Sequence, residues 1–274
     1  MKKICSPSSE IDTFKIFGCK TIKVIQSYPL SKVELVTLKG ERFILKSVPT
    51  FYDMQTKKQS YLSHNCKKTH IPKIHWIRKK EDRIYFLMDY IERKNKYIPN
   101  RVYIKTIDLF HKETTGLYNK HFPVYNYAVF QKEYLKIKKL LPYDLVLKVN
   151  KEIAGLEEIF NTQNSIVHGD WVRAQLIGSN SKYFILDFEM SFYGPSILDH
   201  AHFYLKNKTM LAKDLNLIKI DKKTFDKARL LEVLRKLGWF IWFMENKFTT
   251  YKFEKEINDH VIILNQLINK KLYL

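Results

Sequence analysis

Cysteine is scarce in this sequence, which holds only Cys5, Cys19 and Cys66 among its 274 residues. The three are scattered and no two form a Cys-x-x-Cys pair, so the sequence indicates neither a disulfide framework nor a zinc site. Long apolar runs are also missing: no stretch of about 18 apolar residues occurs, which excludes a predicted membrane span. The chain begins with lysines that no apolar segment follows, so no secretory leader is predicted. Together these absences favour a reducing, cytoplasmic environment.

Acidic residues are few relative to basic ones. Aspartate and glutamate total 28 against 48 lysines and arginines, which gives a formal net charge of +20. Such a charge fits either the binding of polyanions or a lysine-rich, solvated surface. The lysines are spread along the chain, and the densest clusters, such as Lys57-Lys58 and Arg78-Lys79-Lys80, are short. They lack the arginine and aromatic interleaving of nucleic-acid binders, so we favour the solvated surface and keep polyanion binding as an alternative.

Apolar material is plentiful, with 45% hydrophobic and 14% aromatic residues, which argues against disorder and allows a sizeable core. Residues 11–46 predict strands, including a hairpin in which 33–38 and 42–46 flank a compact turn. A helix is predicted over 51–64, and a second strand pair over 76–91. The beginning of the chain is therefore expected to form a small strand-rich lobe with one helix.

The remainder of the chain predicts helices. Helical periodicity recurs at 104–118, 130–140, 145–160, 196–206, 223–248 and 253–272. The segment from Lys223 is apolar on more than one face, which predicts a buried helix. A polar run at 92–96 is the best linker candidate. The sequence thus predicts an α+β protein with an N-terminal lobe over 1–91 and a helical C-terminal lobe over 92–274.

Two aspartates follow short apolar runs in the second half of the chain. Residues 166–167 lead into His168-Gly169-Asp170, and residues 183–186 lead into Asp187. Such runs are typical of buried strands, and a polar turn at 178–181 would fold them into a hairpin that brings the two carboxylates together. Carboxylates at the edge of an apolar layer are unfavourable unless a metal or a substrate proton uses them. The alternative is a pair of capping or salt-bridged carboxylates.

Other polar groups complete a recognisable set. Lys46 ends the second strand of the predicted hairpin, Gln175 follows Asp170 by five residues, and Asp187 begins an Asp-Phe-x triplet. Phosphoryl transfer needs a cation on the triphosphate, an aspartate at the acceptor hydroxyl, and an aspartate and an amide for magnesium. Taken alone, Lys46 is an ordinary edge-strand lysine. The order of the four groups along the chain nevertheless favours a kinase.

On these residues the sequence resembles the aminoglycoside phosphotransferase and choline kinase group, small-molecule kinases with a protein-kinase-like fold. The matching segments are His168-Gly169-Asp170, 185–189 and 194–199, and the resemblance covers most of the chain, residues 20–245. It implies a bilobal fold with an antiparallel sheet and one helix in the small lobe. It also implies ATP and Mg²⁺ as cofactors, and a small-molecule hydroxyl as the acceptor.

The resemblance further implies a role for each matching residue. Lys46 would grip the α- and β-phosphates, Asp170 would orient the acceptor hydroxyl, and Asp187 would hold magnesium. His168 and Asp199 would brace the catalytic loop. The hinge that would meet adenine through its backbone consists of Asp89, Tyr90 and Ile91.

This sequence departs from the family pattern at three places. Gln175 stands where the family has asparagine, so the second magnesium ligand is one methylene longer. Gln59 is the neutral residue at the position of the glutamate that would pair with Lys46. The phosphate-covering loop at 26–32 has no glycine, and its possible side-chain donors are Ser27, Ser31 and Lys32. These departures keep a kinase-fold pseudoenzyme open as an alternative to the active enzyme.

The acceptor is not predicted by the sequence. The basic helical lobe disfavours a polycationic aminoglycoside, unless four glutamates gather at the site: Glu232, Glu245, Glu254 and Glu256. Sugars, amino alcohols and anionic metabolites stay open. Several aromatic residues are candidates to stack on a sugar ring, although they equally suit a core: Trp171, Trp239, Phe240, Trp242 and Phe243.

Overall fold

A computed structural model of the chain describes residues 17–28, 30–95, 97–207, 216–246 and 253–269. The strand prediction for 11–16, and the predicted helix ends at 247–248 and 270–272, lie outside the described residues. What is described forms two compact units. One contains the described residues up to Asp53 together with Lys73–Tyr90, and the other contains Met54–Pro72 and the described residues from Ile91 onward. The division of the chain into lobes at residue 91 stays a prediction.

The first unit is built on an antiparallel sheet of five strands. The strands are β1 (Lys20–Tyr28), β2 (Ser31–Leu38), β3 (Glu41–Pro49), β4 (Ile74–Lys80) and β5 (Arg83–Asp89), in the spatial order β1-β2-β3-β5-β4. The predicted hairpin is confirmed as β2–β3, with Leu38 opposite Glu41. Lys39 and Gly40 form its two-residue turn with φ of 53° and 84°. Such left-handed turns match the twist of paired strands, and glycine adopts them readily.

The second unit is mainly helical. Its helices are α1 (Thr56–Asn65), α2 (Asn100–Thr114), α3 (Tyr127–Ile137), α4 (Tyr143–Ile153), α5 (Glu157–Phe160), α6 (Ile197–Lys206), α7 (Lys222–Glu245) and α8 (Glu254–Ile268). A helix is found in each segment that was predicted to be helical, but the observed bounds differ from the predicted ones. The segment predicted over 145–160 is divided by a 3₁₀ turn at Ala154–Leu156. Gly155 lies in this turn, and glycine is unfavourable inside a helix.

Helix α7 is the central helix of the second unit, packed against α3, α6 and α8. Its buried side chains include Leu231, Leu234 and Leu237, which confirms the predicted buried helix. It also buries charged residues that its apolar pattern did not reveal. Over the described ranges, no helix combines the length and the apolar character that crossing a membrane requires.

The strands around the two aspartates pair differently from the prediction. β7 (Leu176–Ser179) and β8 (Lys182–Ile185) form a hairpin, so the turn at 178–181 is confirmed. However, β6 (Asn164–Val167), which precedes Asp170, pairs with β9 (Phe192–Pro195), so the predicted pairing of the two apolar runs is wrong. The reason is local: the chain between β6 and β7 bends at Gly169 and forms a 3₁₀ turn before it becomes extended again. Asp170 therefore lies in a loop.

Candidate active site

The loop at 168–175 is pinned at its start by the fully buried carboxylate of Asp199. Its oxygens accept hydrogen bonds from the backbone N–H of His168 at 2.7 Å, from that of Gly169 at 2.9 Å, and from His111 Nε2 at 2.9 Å. Burial alone would raise the pKa of Asp199, but His111 and the His168 N–H together hold it below its usual value. An ionised Asp199 thus braces the loop, as the resemblance implied.

The next two residues tie the loop to the segment around Asp187. His168 Nε2 donates to the carbonyl of Leu186 at 2.7 Å, and its Nδ1 accepts from the backbone N–H of Asp170 at 3.3 Å. Gly169 has a left-handed φ of 80°, and a β-carbon at this position would overlap the carbonyl oxygen of Met190. Both the backbone angle and the space therefore require glycine here.

Asp170 is held through one of its two carboxylate oxygens. Its Oδ1 lies 2.9 Å from Lys236 Nζ and 3.3 Å from His202 Nε2, the second contact lacking hydrogen-bond geometry. No described residue donates a hydrogen bond to Oδ2, and the side chain is 36% exposed. Burial would raise the pKa of Asp170, but Lys236 and His202 outweigh it and hold this pKa well below its usual range. Asp170 is therefore ionised, with one oxygen open to a ligand.

A buried charge network supports this arrangement from behind. Glu232 lies 2.8 Å from His202 Nδ1 and accepts two hydrogen bonds from Arg235, both at 2.7 Å. Arg235 in turn donates to the carbonyl of Gly169 at 2.7 Å, which closes the network onto the loop. Burial would raise the pKa of Glu232, but Arg235 and His202 lower it to about 2. Sequence reasoning missed these partners because they come from distant helices.

The four glutamates considered for a cationic acceptor do not gather at the site. Glu232 is consumed by the network with His202 and Arg235. Glu245 forms a surface ion pair with Lys136, at 2.5 Å. Glu254 and Glu256 begin helix α8, where Glu254 is exposed. The arrangement therefore offers no acidic cluster for an aminoglycoside among the described residues.

Gln175 and Asp187 lie at the same end of the β7–β8 hairpin. The backbone N–H of Leu186 donates to the carbonyl of Gln175 at 2.9 Å, adjacent to the Leu176–Ile185 pair. Asp187 has a left-handed φ of 62°, which aspartate tolerates better than most residues. A carboxylate and an amide fit Mg²⁺, which takes oxygen ligands and usually keeps phosphates and waters in its shell. Among the described residues, no group of three or more His, Cys, Asp or Glu side chains could hold a metal ion by itself. A magnesium ion here would therefore need further oxygen ligands from phosphates and waters.

The segment after Asp187 is held by a lysine that the sequence analysis placed in a surface cluster. Lys58, on α1, donates from Nζ to the carbonyls of Glu189 at 2.7 Å and Ser191 at 2.8 Å. Burial lowers its pKa to about 8, although Glu189 opposes the shift. The available signal was periodicity, since Lys58 shares its face of α1 with the buried Leu62 four residues on.

Gln59 is fully engaged within the second unit. Its Oε1 accepts from Gln55 Nε2 at 2.6 Å, and its Nε2 donates to the carbonyl of Pro72 at 2.8 Å. These contacts hold α1 against the extended segment that follows it. Both polar ends of this uncharged side chain are therefore already hydrogen-bonded within the second unit.

The remaining predicted residues of the first unit occupy separate strands. Lys46 is buried on β3, opposite Phe86 of β5. Ser27 is exposed and Ser31 buried, on either side of the β1–β2 turn. They are strand residues, and the glycine-free segment is a hairpin end.

The predicted hinge begins where β5 ends. The Asp89 carboxylate accepts from the backbone N–H of Lys73 at 2.8 Å and lies 2.7 Å from His75 Nε2. The guanidinium of Arg42 lies over the ring of Tyr90, 4.8 Å from its centroid. Ile91 follows as the first residue of the next stretch of the second unit. The side chain of Asp89 thus shapes this chain segment, and the role of its backbone in binding adenine stays a prediction.

A cavity of about 280 Å³ lies within the second unit beside the segment that follows Asp187. Helix α7 contributes Arg235, Trp239 and Trp242 to its wall. Lys58 of α1 and Glu133 of α3 also line it. So do Tyr125, from the segment before α3, and Glu189, from the segment before β9. By contrast, Trp171 is fully buried, so this tryptophan belongs to the core.

No protein-family model and no curated protein matches the sequence. Solved structures do share its fold. A thermostable mutant of aminoglycoside phosphotransferase APH(4)-Ia, in ternary complex with AMP-PNP and hygromycin B, gives a TM-score of 0.70 at 12% identity, over 98% of this chain and 100% of that one. Amicoumacin kinase hAmiN, in complex with AMP-PNP, Ca²⁺ and Ami, gives 0.66 at 11% identity, over 96% and 94%. The chain therefore has the α+β, bilobal protein-kinase-like fold of the aminoglycoside phosphotransferases, as the resemblance implied.

Proposed function

We propose that this protein is an ATP-dependent phosphotransferase that acts on a hydroxyl group of a small molecule. The observation that carries the proposal is the state of Asp170. It is ionised, held through Oδ1 by Lys236, and open at Oδ2 to a hydroxyl donor. The loop that presents it is pinned by Asp199. Support also comes from the fold, which is shared with kinases solved in complex with AMP-PNP.

The proposed roles follow from the chemistry of each group. Asp170 orients the acceptor hydroxyl and takes its proton as the bond to phosphorus forms. A carboxylate with so low a pKa is a weak base, which suits a loose transition state in which proton transfer comes late. Lys46 contacts the α- and β-phosphates. The nucleotide is further held by the backbone of Asp89, Tyr90 and Ile91, with Ser27 and Ser31 near its phosphates.

Magnesium would be held by Asp187 and Gln175. When bound, the ion neutralises charge on the phosphates of ATP. Gln175 reaches one methylene further than an asparagine, so its amide tolerates a ligand shell completed by water. We also place the enzyme in the cytoplasm, in keeping with the free thiols of Cys19 and Cys66.

A kinase-fold pseudoenzyme is the second candidate, and Gln59 is the observation that favours it. Both ends of this amide are engaged by Gln55 and Pro72, and it carries no charge with which to orient a lysine. Such a protein would bind nucleotide or a partner without turnover. The intact set of Asp170, Asp187 and Lys46 leads us to prefer the active enzyme.

Binding and turnover of ATP test the proposal separately. Mg-ATP should raise the melting temperature of the wild type, and Asp187→Ala should abolish the rise, whereas Asp144→Ala, which removes an exposed carboxylate, should not. ADP formation across a panel of hydroxylated metabolites then distinguishes an enzyme from a pseudoenzyme. The absence of a shift with any divalent metal would exclude nucleotide binding.

A further inference from the structure

One corner of the second unit exposes several large apolar side chains. It consists of α3, the 3₁₀ turn at Lys138–Leu140 and α4. Leu135 is 60% exposed, Leu140 38%, Tyr143 75% and Leu147 45%. Single exposed apolar residues are common on protein surfaces, but a group of them on adjoining elements marks an interaction surface.

Each of the two helices carries a row of exposed side chains at spacings of three or four residues, which places the members of a row on one side of the helix. The row on α3 and the turn after it consists of Lys132, Leu135 and Lys139. The row on α4 consists of Tyr143, Leu147 and Lys151. All six side chains are exposed, and we call the surface that they form the α3–α4 corner.

Both rows point away from the interior of the second unit. Each lies on the opposite side of its helix from buried side chains, such as Ile137 on α3 and Val149 on α4. The hydroxyl of Tyr134 on α3 donates to Asn150 on α4 at 2.9 Å, which holds the two helices side by side. The two rows therefore adjoin and act as one surface.

The α3–α4 corner has an excess of positive charge. Over residues 131–152 the chain holds six lysines and three acidic residues. Lys136 forms an ion pair with Glu245, but no described residue forms an ion pair with any of the three lysines of the corner. These ammonium groups beside exposed apolar side chains are complementary to a partner that presents anions over an apolar layer.

A bilayer that contains anionic lipids has this chemistry. Its negatively charged headgroups attract lysines, whose apolar stems let the ammonium groups stay at headgroup level. Leucine and tyrosine side chains insert at the boundary between headgroups and acyl chains, as they do in interfacial helices. This mode of contact needs no membrane-spanning helix, so it is compatible with the described helices, none of which could cross a membrane.

Other partners fit the α3–α4 corner less well. A second copy of the chain would place like charges opposite each other, because its own corner is equally basic. A single-stranded nucleic acid would be held by lysines and by stacked aromatic rings, but the corner has one ring, Tyr143. Its leucines, Leu135 and Leu147, would then stay in water. The mixture of aliphatic and cationic groups therefore favours a lipid surface.

We propose that the α3–α4 corner binds the surface of membranes that contain anionic lipids. Its lysines contact the lipid headgroups, and Leu135, Tyr143 and Leu147 enter the boundary between headgroups and acyl chains. This inference goes beyond the proposed kinase function and does not depend on it, because none of the six residues belongs to the candidate active site. It also assigns a partner to part of the net charge of +20.

Co-sedimentation of the full chain with lipid vesicles tests the proposal. Vesicles of phosphatidylcholine alone are compared with vesicles of phosphatidylcholine mixed with phosphatidylserine. We expect the mixed vesicles to bind the protein about tenfold more tightly. Added salt should weaken this binding, because it screens the attraction between lysines and headgroups.

Two double variants separate the apolar and the ionic contributions. Leu135→Ser with Tyr143→Ser should weaken binding to the mixed vesicles about tenfold, because the apolar groups that enter the interface are lost. Lys132→Gln with Lys139→Gln should weaken it about tenfold as well, and should make the remaining binding less sensitive to salt. Substitutions at such exposed positions usually leave folding intact.

The control variants match these changes in exposure and charge. Tyr97→Ser removes a tyrosine that is 74% exposed, close to the 75% of Tyr143, and lies before α2. Lys79→Gln with Lys80→Gln removes two exposed lysines of the first unit. Both controls should bind the mixed vesicles as the wild type does.

Several outcomes would overturn the proposal. These are equal binding to the two kinds of vesicle, no binding to either, or losses in the control variants as large as in the corner variants. Binding of polyuridylate instead of vesicles, weakened by the double lysine variant, would identify a nucleic-acid surface. Self-association that the double serine variant removes would identify a second copy as the partner. The thermal shift on Mg-ATP should be unchanged in every variant, so the proposed function is tested separately.

Discussion

Lys236 Nζ lies 2.9 Å from Oδ1 of Asp170, so the proposed catalytic aspartate is paired with a cation from the central helix of its unit. This ion pair keeps the carboxylate ionised, and no described residue donates a hydrogen bond to its second oxygen. In the proposed kinase reaction an aspartate with a strongly lowered pKa would suffice, because the group would position a hydroxyl and would need little basicity.

We expect Asp170→Asn to abolish most turnover and to retain nucleotide binding. The amide keeps the shape of the side chain but cannot take the proton of the acceptor, a contribution of about 10²- to 10⁴-fold in rate. ADP formation with an active acceptor, together with the thermal shift on Mg-ATP, measures the two properties. Unchanged turnover would mean that Asp170 is not the catalytic aspartate.

Gly169 should not tolerate a β-carbon, and a comparison with Gly40 separates the steric overlap from the effect of the backbone angle. Gly169 and Gly40 have similar φ of 80° and 84°, but only Gly169 has a carbonyl oxygen where a β-carbon would stand. Gly40→Ala should lower the free energy of unfolding by about 1–2 kcal/mol, the cost of a left-handed alanine. Gly169→Ala should lower it by about 3 kcal/mol or more. Equal losses in denaturant titrations would contradict the close approach of Met190.

Two tyrosines should respond differently to loss of their hydroxyls. Tyr134 donates to Asn150 at 2.9 Å, so Tyr134→Phe should lower the free energy of unfolding by about 0.5–1.5 kcal/mol. The Tyr125 hydroxyl lies near the Glu133 carboxyl but makes no hydrogen bond of good geometry with any described residue, so Tyr125→Phe should cost less stability than Tyr134→Phe. Chemical denaturation of both variants measures the contrast. A comparable loss in Tyr125→Phe would show that its hydroxyl is already hydrogen-bonded within the protein.

Lys58 should make stability depend on pH in the alkaline range. Burial lowers its pKa from 10.5 to about 8, so between these values the unfolded chain binds a proton that the folded chain has released. The free energy of unfolding of the wild type, relative to Lys58→Met, should therefore rise with pH, by up to about 1.4 kcal/mol per pH unit. Lys57→Met is the control, because Lys57 is exposed on the same helix. A difference that stays flat from pH 8 to 10 would mean that Lys58 titrates normally.

The prediction from sequence succeeded where the determining forces are local. The β2–β3 hairpin follows from a turn that Lys39 and Gly40 can adopt, and the helices follow from their apolar periodicity. Pairing of β6 with β9 was not predicted, because periodicity indicates a strand without naming its partner. Lys58 was assigned to the surface for a related reason, since lysine side chains are usually exposed. Only its position on the face of the helix that also carries Leu62 indicated that it is buried.

The sequence by itself predicted the chemistry that we propose for the candidate site, because His168-Gly169-Asp170 and Asp187-Phe188 carry the groups that phosphoryl transfer would need on two short segments. Only the tertiary structure decided how those groups are ionised and which residues they contact. Lys236 and His202 reach Asp170 from helices far along the chain, and Glu232 and Arg235 complete a network that encloses it. It also decided that Trp239 and Trp242 line a cavity, whereas Trp171 is core. Both outcomes depend on long-range packing, which sets burial and charge pairing and which a local pattern of residue types does not contain.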